Sequence, residues 1–169
     1  MNNPAEQFSI IYDQYIEKIY RFIYLKVNSQ ETAEDITSKV FLKSWEAYKM
    51  NQNSIKNIGG FLYRIAGNMV TDYYRERGRT KVILTDNSQE IIDRKTDLYE
   101  KAVFNADVEI IKSAIQNLKQ DYQDVLIWYY LEDMPTDKIA ELLNKPVGTV
   151  RVMIHRGLEI LKEGLVKES

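Results

Sequence analysis

The stretch "NKPVGTVRVMIHRG", residues 144–157, lies between two segments whose apolar residues recur at helical spacing. Before it, a short helix is predicted to begin with Thr136 as its cap. The inward-facing residues of that helix are Ile139, Ala140, Leu142 and Leu143. Asn144 tolerates the left-handed conformation that ends many helices, and a final helix is predicted from about Val147 to Leu165. Two short helices joined by a tight turn form a helix-turn-helix.

The final helix presents two chemically different faces when successive residues are placed about 100° apart. The buried stripe consists of Val150, Ile154, Leu158 and Leu161. The opposite face carries Thr149, Val152, His155 and Arg156, with Arg151 at its edge. Hydroxyl and guanidinium groups suit a phosphate-rich partner, and a valine methyl can pack against thymine in the major groove. We interpret this face as DNA-binding, with His155 as a neutral polar contact, and the alternative is a plain helix bundle.

Three helices are predicted in the first half of the chain. The first covers residues 5–27, the second is capped by Ser29 and reaches about Tyr48, and the third runs from Phe61 to about Arg77. The apolar face of the third helix leaves five side chains turned outward: Tyr63, Arg64, Asn68, Tyr74 and Arg75. Rings stack on unpaired bases, arginines follow the backbone, and an asparagine amide can pair with an extruded base. This face predicts a contact with single-stranded DNA, unless both tyrosines merely lean over the edge of the core.

The middle of the chain, residues 78–104, loses helical periodicity and is predicted to be a linker. A helix follows from Val108 to Leu118, and Asp121 is predicted to cap the next one. That helix carries Val125, Leu126, Tyr129 and Leu131, and it ends at "EDMP". The predicted fold is therefore all-α, with two small helical domains joined by a linker and a helix-turn-helix in the C-terminal domain. The predicted boundaries are 1–78, 79–106 and 107–169.

The composition excludes several classes of site. The 169-residue chain has no cysteine, and its one histidine is His155, so thiolate metal sites, disulfides and clusters of histidine metal ligands are excluded. We expect no catalytic residue, no cofactor and no metal. No signal peptide is evident, and no apolar run reaches the roughly 18 residues of a membrane span. The chain is therefore expected to be cytoplasmic, without direct membrane insertion.

Charge is segregated along the chain, although its net value is only −2. Basic residues outnumber acidic ones in 61–81 and again in 145–167, whereas acidic residues prevail in 90–109. Each basic block contains one of the two faces interpreted as DNA-binding. From charge alone, the two basic blocks could equally be ordinary solvated helix faces that bind no nucleic acid.

Three segments, in this order, resemble the extracytoplasmic-function (ECF) sigma factors of bacterial RNA polymerase. The segment "AEDITSKVFLKSWE", residues 33–46, resembles the signature by which this family binds core polymerase. The segment "FLYRIAGNMVTDYYRERGR", residues 61–79, resembles the strand-melting helix of the family. Residues 114–161 resemble the C-terminal domain of the family, which contains its helix-turn-helix.

The resemblance implies a transcription-initiation subunit that directs core RNA polymerase to specific promoters and assists promoter melting. It implies a region 2-like domain over 1–78, which binds polymerase and captures flipped bases of the minus-ten element near Asn68 and residues 50–59. It implies a region 4-like domain over 107–169, which reads the minus-thirty-five element. The implied polymerase contacts are Asp35, Ile36, Ser38, Lys39 and Phe41. The family also implies an anti-sigma partner.

Some positions depart from the family pattern. Ser38 and Lys39 stand where the family usually has glutamine and then an acid, which reverses a charge at the implied polymerase contact. Met153 and Leu158 stand where the family often has arginine, so weaker and less salt-sensitive DNA binding is expected. The alternative function is a stand-alone helix-turn-helix regulator, which would have no use for the segment 33–46. An enzyme finds little support in the sequence.

Overall fold

The computed structural model describes residues 3–81 and 109–168. These residues form helices and contain no strand, which confirms the predicted all-α class. The chain divides into two compact units, Met1–Ile91 and Ile92–Ser169. The predicted linker, 79–106, lies outside the described residues except for its first three positions, which continue a helix of the first unit.

The first unit consists of three long helices and one short turn. These elements are α1 (Pro4–Tyr24), α2 (Gln30–Met50), a 3-10 turn (Gln52–Ser54) and α3 (Ile58–Lys81). The three predicted helices are confirmed, but α1 ends before the predicted residue 27 and α3 extends past both of its predicted ends.

Local capping explains where α1 and α2 begin. Asn3 precedes α1, and its side chain accepts a hydrogen bond of 3.1 Å from the amide of Ala5. Ser29 caps α2 as predicted, because its hydroxyl accepts a hydrogen bond of 3.1 Å from the amide of Thr32. Each side chain satisfies an amide that the first turn of a helix leaves without a partner.

Aromatic contacts hold α1 against α2. The ring of Phe8 lies 5.3 Å from that of Trp45, and the ring of Tyr12 lies 4.9 Å from that of Phe41. These pairs run in opposite directions along the two helices, so α1 and α2 are antiparallel. The start of α3 packs so closely on α1 that a Cβ at Gly59 would lie 2.8 Å from the hydroxyl oxygen of Tyr15. Only glycine fits this approach without displacing the tyrosine.

The second unit contains four helices among its described residues. They are α4 (109–116), α5 (Gln120–Leu126), α6 (Thr136–Leu143) and α7 (Val147–Glu168), with a π-helical segment (Ile127–Leu131) directly after α5. The prediction that Asp121 caps α5 is wrong, because α5 begins at Gln120 and Asp121 lies in its first turn. Thr136 is likewise the first residue of α6, and Pro135 occupies the cap position.

The π-helical segment changes which side chains are buried at the end of α5. The amide of Glu132 donates to the carbonyl of Ile127 at 3.2 Å, five residues earlier, which adds one residue to the turn. Trp128 is therefore buried, whereas Tyr129 and Leu131 are 38% and 42% exposed. The sequence pattern placed Tyr129 and Leu131 with the apolar residues of this helix, because it assumed regular α-helical spacing.

Candidate nucleic-acid interfaces and polymerase-binding surface

The turn between α6 and α7 depends on the backbone conformation of Asn144. This residue has φ 55° and ψ 48°, which confirms the predicted left-handed end of α6. The amide of Lys145 then donates to the carbonyl of Ala140 at 3.0 Å, and the amide of Val150 donates to the carbonyl of Pro146 at 3.1 Å. The first bond closes a Schellman-type end on α6. Together they fix the helix-turn-helix and the direction in which α7 leaves it.

The buried side of α7 follows the predicted stripe. Val150 and Ile154 are 0% and 8% exposed, and Leu158 and Leu161 are half-buried. Met153 is also buried, at 9% exposed. The Met153 side chain therefore lies in the core and not on the exposed side of α7, and the weaker DNA binding expected from its replacement of an arginine stays a prediction.

The opposite side of α7 is open to solvent. All five residues predicted there are exposed: Thr149, Arg151, Val152, His155 and Arg156. We call this set the α7 face. Val152 is 47% exposed, so its methyl groups are accessible on this side of the helix. Hydroxyl, guanidinium, imidazole and methyl groups thus occupy one accessible surface.

A second polar face lies on α3. Arg64, Asn68 and Arg75 are exposed, and their spacing of four and then seven residues places them on one side of the helix. We call these three residues the α3 face. Arg75 also lies 3.7 Å from the carboxylate of Asp72, so an acidic group sits within the face. The pair is largely exposed, and solvent weakens such a bridge, so Arg75 can exchange this partner for a phosphate.

The two tyrosines predicted on the outward side of α3 do not both lie there. The prediction that Tyr63 faces outward is wrong: it is 5% exposed, and its ring lies 5.2 Å from that of Phe22 in an edge-on contact. Because α3 packs against both α1 and α2, its buried arc is wide enough to include the tyrosine. Tyr74 is 40% exposed, but its hydroxyl donates to the carbonyl of Lys26, so it leans back onto the first unit.

The implied polymerase contacts on α2 fall into two groups. Asp35, Ser38 and Lys39 are exposed, and the Lys39 ammonium lies 3.0 Å from the Asp35 carboxylate. Ile36 and Phe41 are each 5% exposed. Both side chains belong to the core of the first unit, where Phe41 contacts Tyr12 of α1, so they lie beneath the exposed surface and do not form it.

Leu42, which the sequence patterns did not single out, lies beside these exposed residues on α2. Its side chain is 59% exposed, and it lies one helical turn beyond Ser38. Phe41 already points into the core, and adjacent residues on a helix lie about 100° apart, so Leu42 is turned toward solvent. The sequence does contain this signal, because Phe41 and Leu42 are adjacent apolar residues and cannot both lie on one buried stripe of a helix.

The described residues contain no group of three or more histidine, cysteine or acidic side chains arranged to hold a metal. Among the same residues, no helix combines the length and the apolar character needed to cross a membrane.

Two family models match the chain in the order of its two units. The model for Sigma-70 region 2 matches residues 11–80, and the model for Sigma-70, region 4 matches residues 109–161. The ECF RNA polymerase sigma factor SigW of Bacillus subtilis is 31% identical over 173 residues, which cover 95% of this chain and 89% of SigW. The chain belongs to the ECF RNA polymerase sigma factors. This sigma factor is also 26% identical to BldN of Streptomyces coelicolor, over 93% of this chain and 60% of BldN.

A solved structure supports the same fold. The sigma factor RpoE of Bartonella quintana, determined in complex with the anti-sigma factor NepR, matches with a TM-score of 0.67 and 17% identity. The match covers 96% of this chain and 98% of RpoE.

Family membership establishes the function. The protein is a sigma factor that directs core RNA polymerase to specific promoters and assists promoter melting at initiation. A stand-alone helix-turn-helix regulator is not favoured, because the region 2 match covers the unit that lacks the helix-turn-helix. Sigma factors are a family of non-enzymatic initiation factors.

Proposed function

We propose that the sigma factor divides promoter recognition between the α7 face and the α3 face. The α7 face reads the minus-thirty-five element as duplex DNA. The α3 face captures unpaired non-template bases of the minus-ten element. The observation that carries this proposal is the α7 face itself, where five side chains suited to DNA are exposed directly opposite a buried apolar stripe.

The chemistry of the α7 face suits the major groove. Arg156 can bond the O6 and N7 atoms of guanine, and Val152 can pack against the methyl group of thymine. Thr149 lies in the first turn of α7, where free helix amides also favour a phosphate. The major groove is wide enough for an α-helix, and in a helix-turn-helix the second helix is the one that lies in it.

The chemistry of the α3 face suits a single strand. Asn68 carries both a donor and an acceptor, which match the edge of a base that duplex DNA hides. Arg64 and Arg75 flank it on the same side of α3 and can follow the phosphates. Because Tyr63 is buried, stacking by this residue is not part of the proposal. Residues 50–59, which lead into α3, are proposed to complete the base pocket.

The polymerase-binding surface is proposed to comprise Asp35, Ser38, Lys39 and the newly identified Leu42. All four are exposed on α2, whereas Ile36 and Phe41 are buried in the core of the first unit. The Asp35–Lys39 bridge partly neutralises the surface. A polymerase partner must therefore compete with Lys39 for the Asp35 carboxylate.

The remaining assignments are also proposals. The domain boundaries are 1–78, 79–106 and 107–169, which agree in order with the two family matches. The protein acts without catalysis of its own, and it acts in the cytoplasm. An anti-sigma factor is a further expected partner, as supported by the RpoE–NepR complex of a structural relative.

The proposal is tested by Arg156→Ala in the reconstituted holoenzyme. Loss of one specific base contact costs about 1–3 kcal/mol, so affinity for promoter DNA with an intact upstream element should fall by the corresponding factor. The matched control is Lys162→Ala, which removes an exposed positive charge from the same side of α7, two turns beyond His155. Equal losses in both variants would show a general charge effect, and a lowered melting temperature with unchanged affinity would show a structural role for Arg156.

A further inference from the structure

Met50, the last residue of α2, is the most exposed of the four methionines that the structure describes. Its side chain is 82% exposed, whereas Met153 is 9% exposed and Met69 and Met134 are half-buried. The chain has no cysteine, so no thiol competes with a thioether for an oxidant. Because oxidation of sulfur side chains follows their exposure, Met50 is the described residue on which a peroxide acts first.

The loop that follows Met50 is held in place by its own hydrogen bonds. The amide and the hydroxyl of Ser54 both donate to the carbonyl of Asn51, at 3.3 and 2.8 Å. The side chain of Asn57 accepts a hydrogen bond of 3.0 Å from the amide of Gly60, in the first turn of α3. This bond is that of a helix cap, so the loop is fixed at both of its ends. The exposed Met50 side chain therefore lies at a defined junction between α2 and the loop.

The same loop leads directly into the helix that carries the α3 face. α3 begins at Ile58, and Asn68 lies ten residues further along, which is about 15 Å at the rise of an α-helix. A strand with about 3.4 Å between stacked nucleotides covers this distance with four to five nucleotides. Lys49 and Lys56, on either side of the loop, are exposed and can follow the phosphates of such a strand. An unpaired strand held at Asn68 is thus long enough to reach the loop and Met50.

The two oxidation states of Met50 have different chemistry toward a base. The thioether is apolar, flexible and polarisable, and it packs favourably on aromatic rings. Hydrogen peroxide transfers one oxygen atom to the sulfur: the O–O bond breaks, an S–O bond forms, the sulfur loses two electrons and the peroxide is reduced to water. The resulting sulfoxide is polar and chiral, so the apolar contact with a base is lost. Because the side chain is 82% exposed, this change leaves the core untouched.

We propose that Met50 is a reversible oxidation site that controls how strongly the sigma factor holds the melted strand. The inference rests on the function proposed above for the α3 face and residues 50–59, and it adds a contact and a modification to it. In the reduced protein, the Met50 thioether packs on an unpaired base of the minus-ten element. In the oxidised protein this contact is lost, and promoter opening falls by roughly two- to tenfold, the range of one sulfur–aromatic contact.

The test oxidises the full chain alone with hydrogen peroxide, removes the peroxide with catalase and then assembles holoenzyme with untreated core polymerase. Peptide mass spectrometry gives the sulfoxide fraction at each methionine, and permanganate reactivity of melted thymines gives promoter opening. Met50 should be oxidised before the other three described methionines, and opening should fall as its sulfoxide accumulates, with an unchanged melting temperature. The two methionine sulfoxide reductases, one for each epimer, should restore opening when supplied with a dithiol reductant.

Three variants assign the effect to one sulfur atom. For each protein, opening after peroxide treatment is divided by opening before it. Met50→Leu keeps an apolar side chain without an oxidisable sulfur, so its ratio should stay near one. Met134→Leu removes a half-buried thioether from the second unit and should lose as much opening as the wild-type protein. Met50→Gln carries a polar side chain of similar length, so without treatment it should open promoters as poorly as the oxidised wild-type protein.

The possible failures are distinguishable. The oxidation site is overturned if Met50 is oxidised no faster than Met153, if Met50→Leu loses opening as wild type does, or if the loss accompanies a lowered melting temperature. It is also overturned if protein fully oxidised at Met50 opens promoters normally. If Asn68→Ala impairs opening in that case, the proposed function of the α3 face stands without the oxidation site. If Asn68→Ala opens promoters normally, the α3 face does not capture the strand, and the contact proposed for Met50 falls with it.

Discussion

α3 and α7 share one design, with arginines exposed opposite an apolar stripe, but they differ in the width of the buried arc. On α7 the buried residues Val150, Met153 and Ile154 form a narrow stripe, and every residue predicted to face outward does so. On α3 the arc is wider and includes Tyr63, which is 5% exposed. The comparison teaches that the arginines predicted to face outward on these two helices do so, whereas a tyrosine suits either environment because it has an apolar ring and a polar tip.

The largest expected effect is that of Tyr63→Ala on the stability of the first unit. Removing a buried ring that contacts Phe22 leaves a cavity, and large aromatic truncations in a core cost about 3–5 kcal/mol. We expect this loss in the free energy of unfolding, followed by hydrogen exchange of the α3 amides in increasing urea. Tyr63→Phe keeps the ring and should retain most of the stability.

The same pair of variants can overturn the comparison. If Tyr63→Ala kept its stability but impaired promoter opening, Tyr63 would belong to the DNA surface after all. In that case every residue predicted to face outward would do so on α3 as well as on α7, and the two helices would not differ in the width of the buried arc.

A smaller effect is expected for Tyr74→Phe, which removes the hydroxyl that donates to the carbonyl of Lys26. One intramolecular hydrogen bond contributes about 1 kcal/mol to stability. The ring remains, so single-strand binding should not change. If the Tyr74→Phe holoenzyme kept its stability but bound a single-stranded minus-ten oligonucleotide more weakly, the conclusion that Tyr74 is held against the first unit would be contradicted.

The smallest effect on stability is expected for Val152→Ala on α7. The side chain is 47% exposed, and alanine has the higher helix propensity, so the free energy of unfolding should change by no more than about 0.5 kcal/mol. Affinity for upstream DNA should fall with the loss of the methyl contact. The matched control is Met153→Ala, the buried neighbour, which should destabilise the protein. Similar destabilisation by both variants would show that α7 has a wide buried arc, as α3 does.

Much of the fold was accessible from the sequence because short-range signals decide it. Periodic apolar residues located the helices, Ser29 marked the start of α2, and Asn144 marked the left-handed end of α6. The wheel of α7 also gave the α7 face correctly, since its apolar residues fall on one narrow stripe. These features depend on residues within one or two turns of each other.

The features that were missed depend on neighbours distant in sequence or on irregular backbone. Tyr63 is buried because two other helices meet α3, and Ile36 and Phe41 are buried because other helices pack against α2. Tyr129 was misjudged because the π-helical segment adds a residue to its turn. The roles proposed for the exposed residues came from resemblance and chemistry, and they remain predictions until DNA or polymerase is brought into contact with them.

The measurement that tests the division of labour most directly compares Asn68→Ala with Arg156→Ala on one promoter. For each variant holoenzyme, permanganate reactivity of melted thymines is measured beside a gel-shift titration of the closed complex. We expect Asn68→Ala to reduce melting with nearly unchanged duplex affinity, since duplex DNA hides most of the base edge that Asn68 pairs with. Arg156→Ala should reduce duplex affinity and leave melting normal once the complex is saturated. Loss of both properties in each variant, or normal melting in Asn68→Ala, would contradict separate tasks for the two faces.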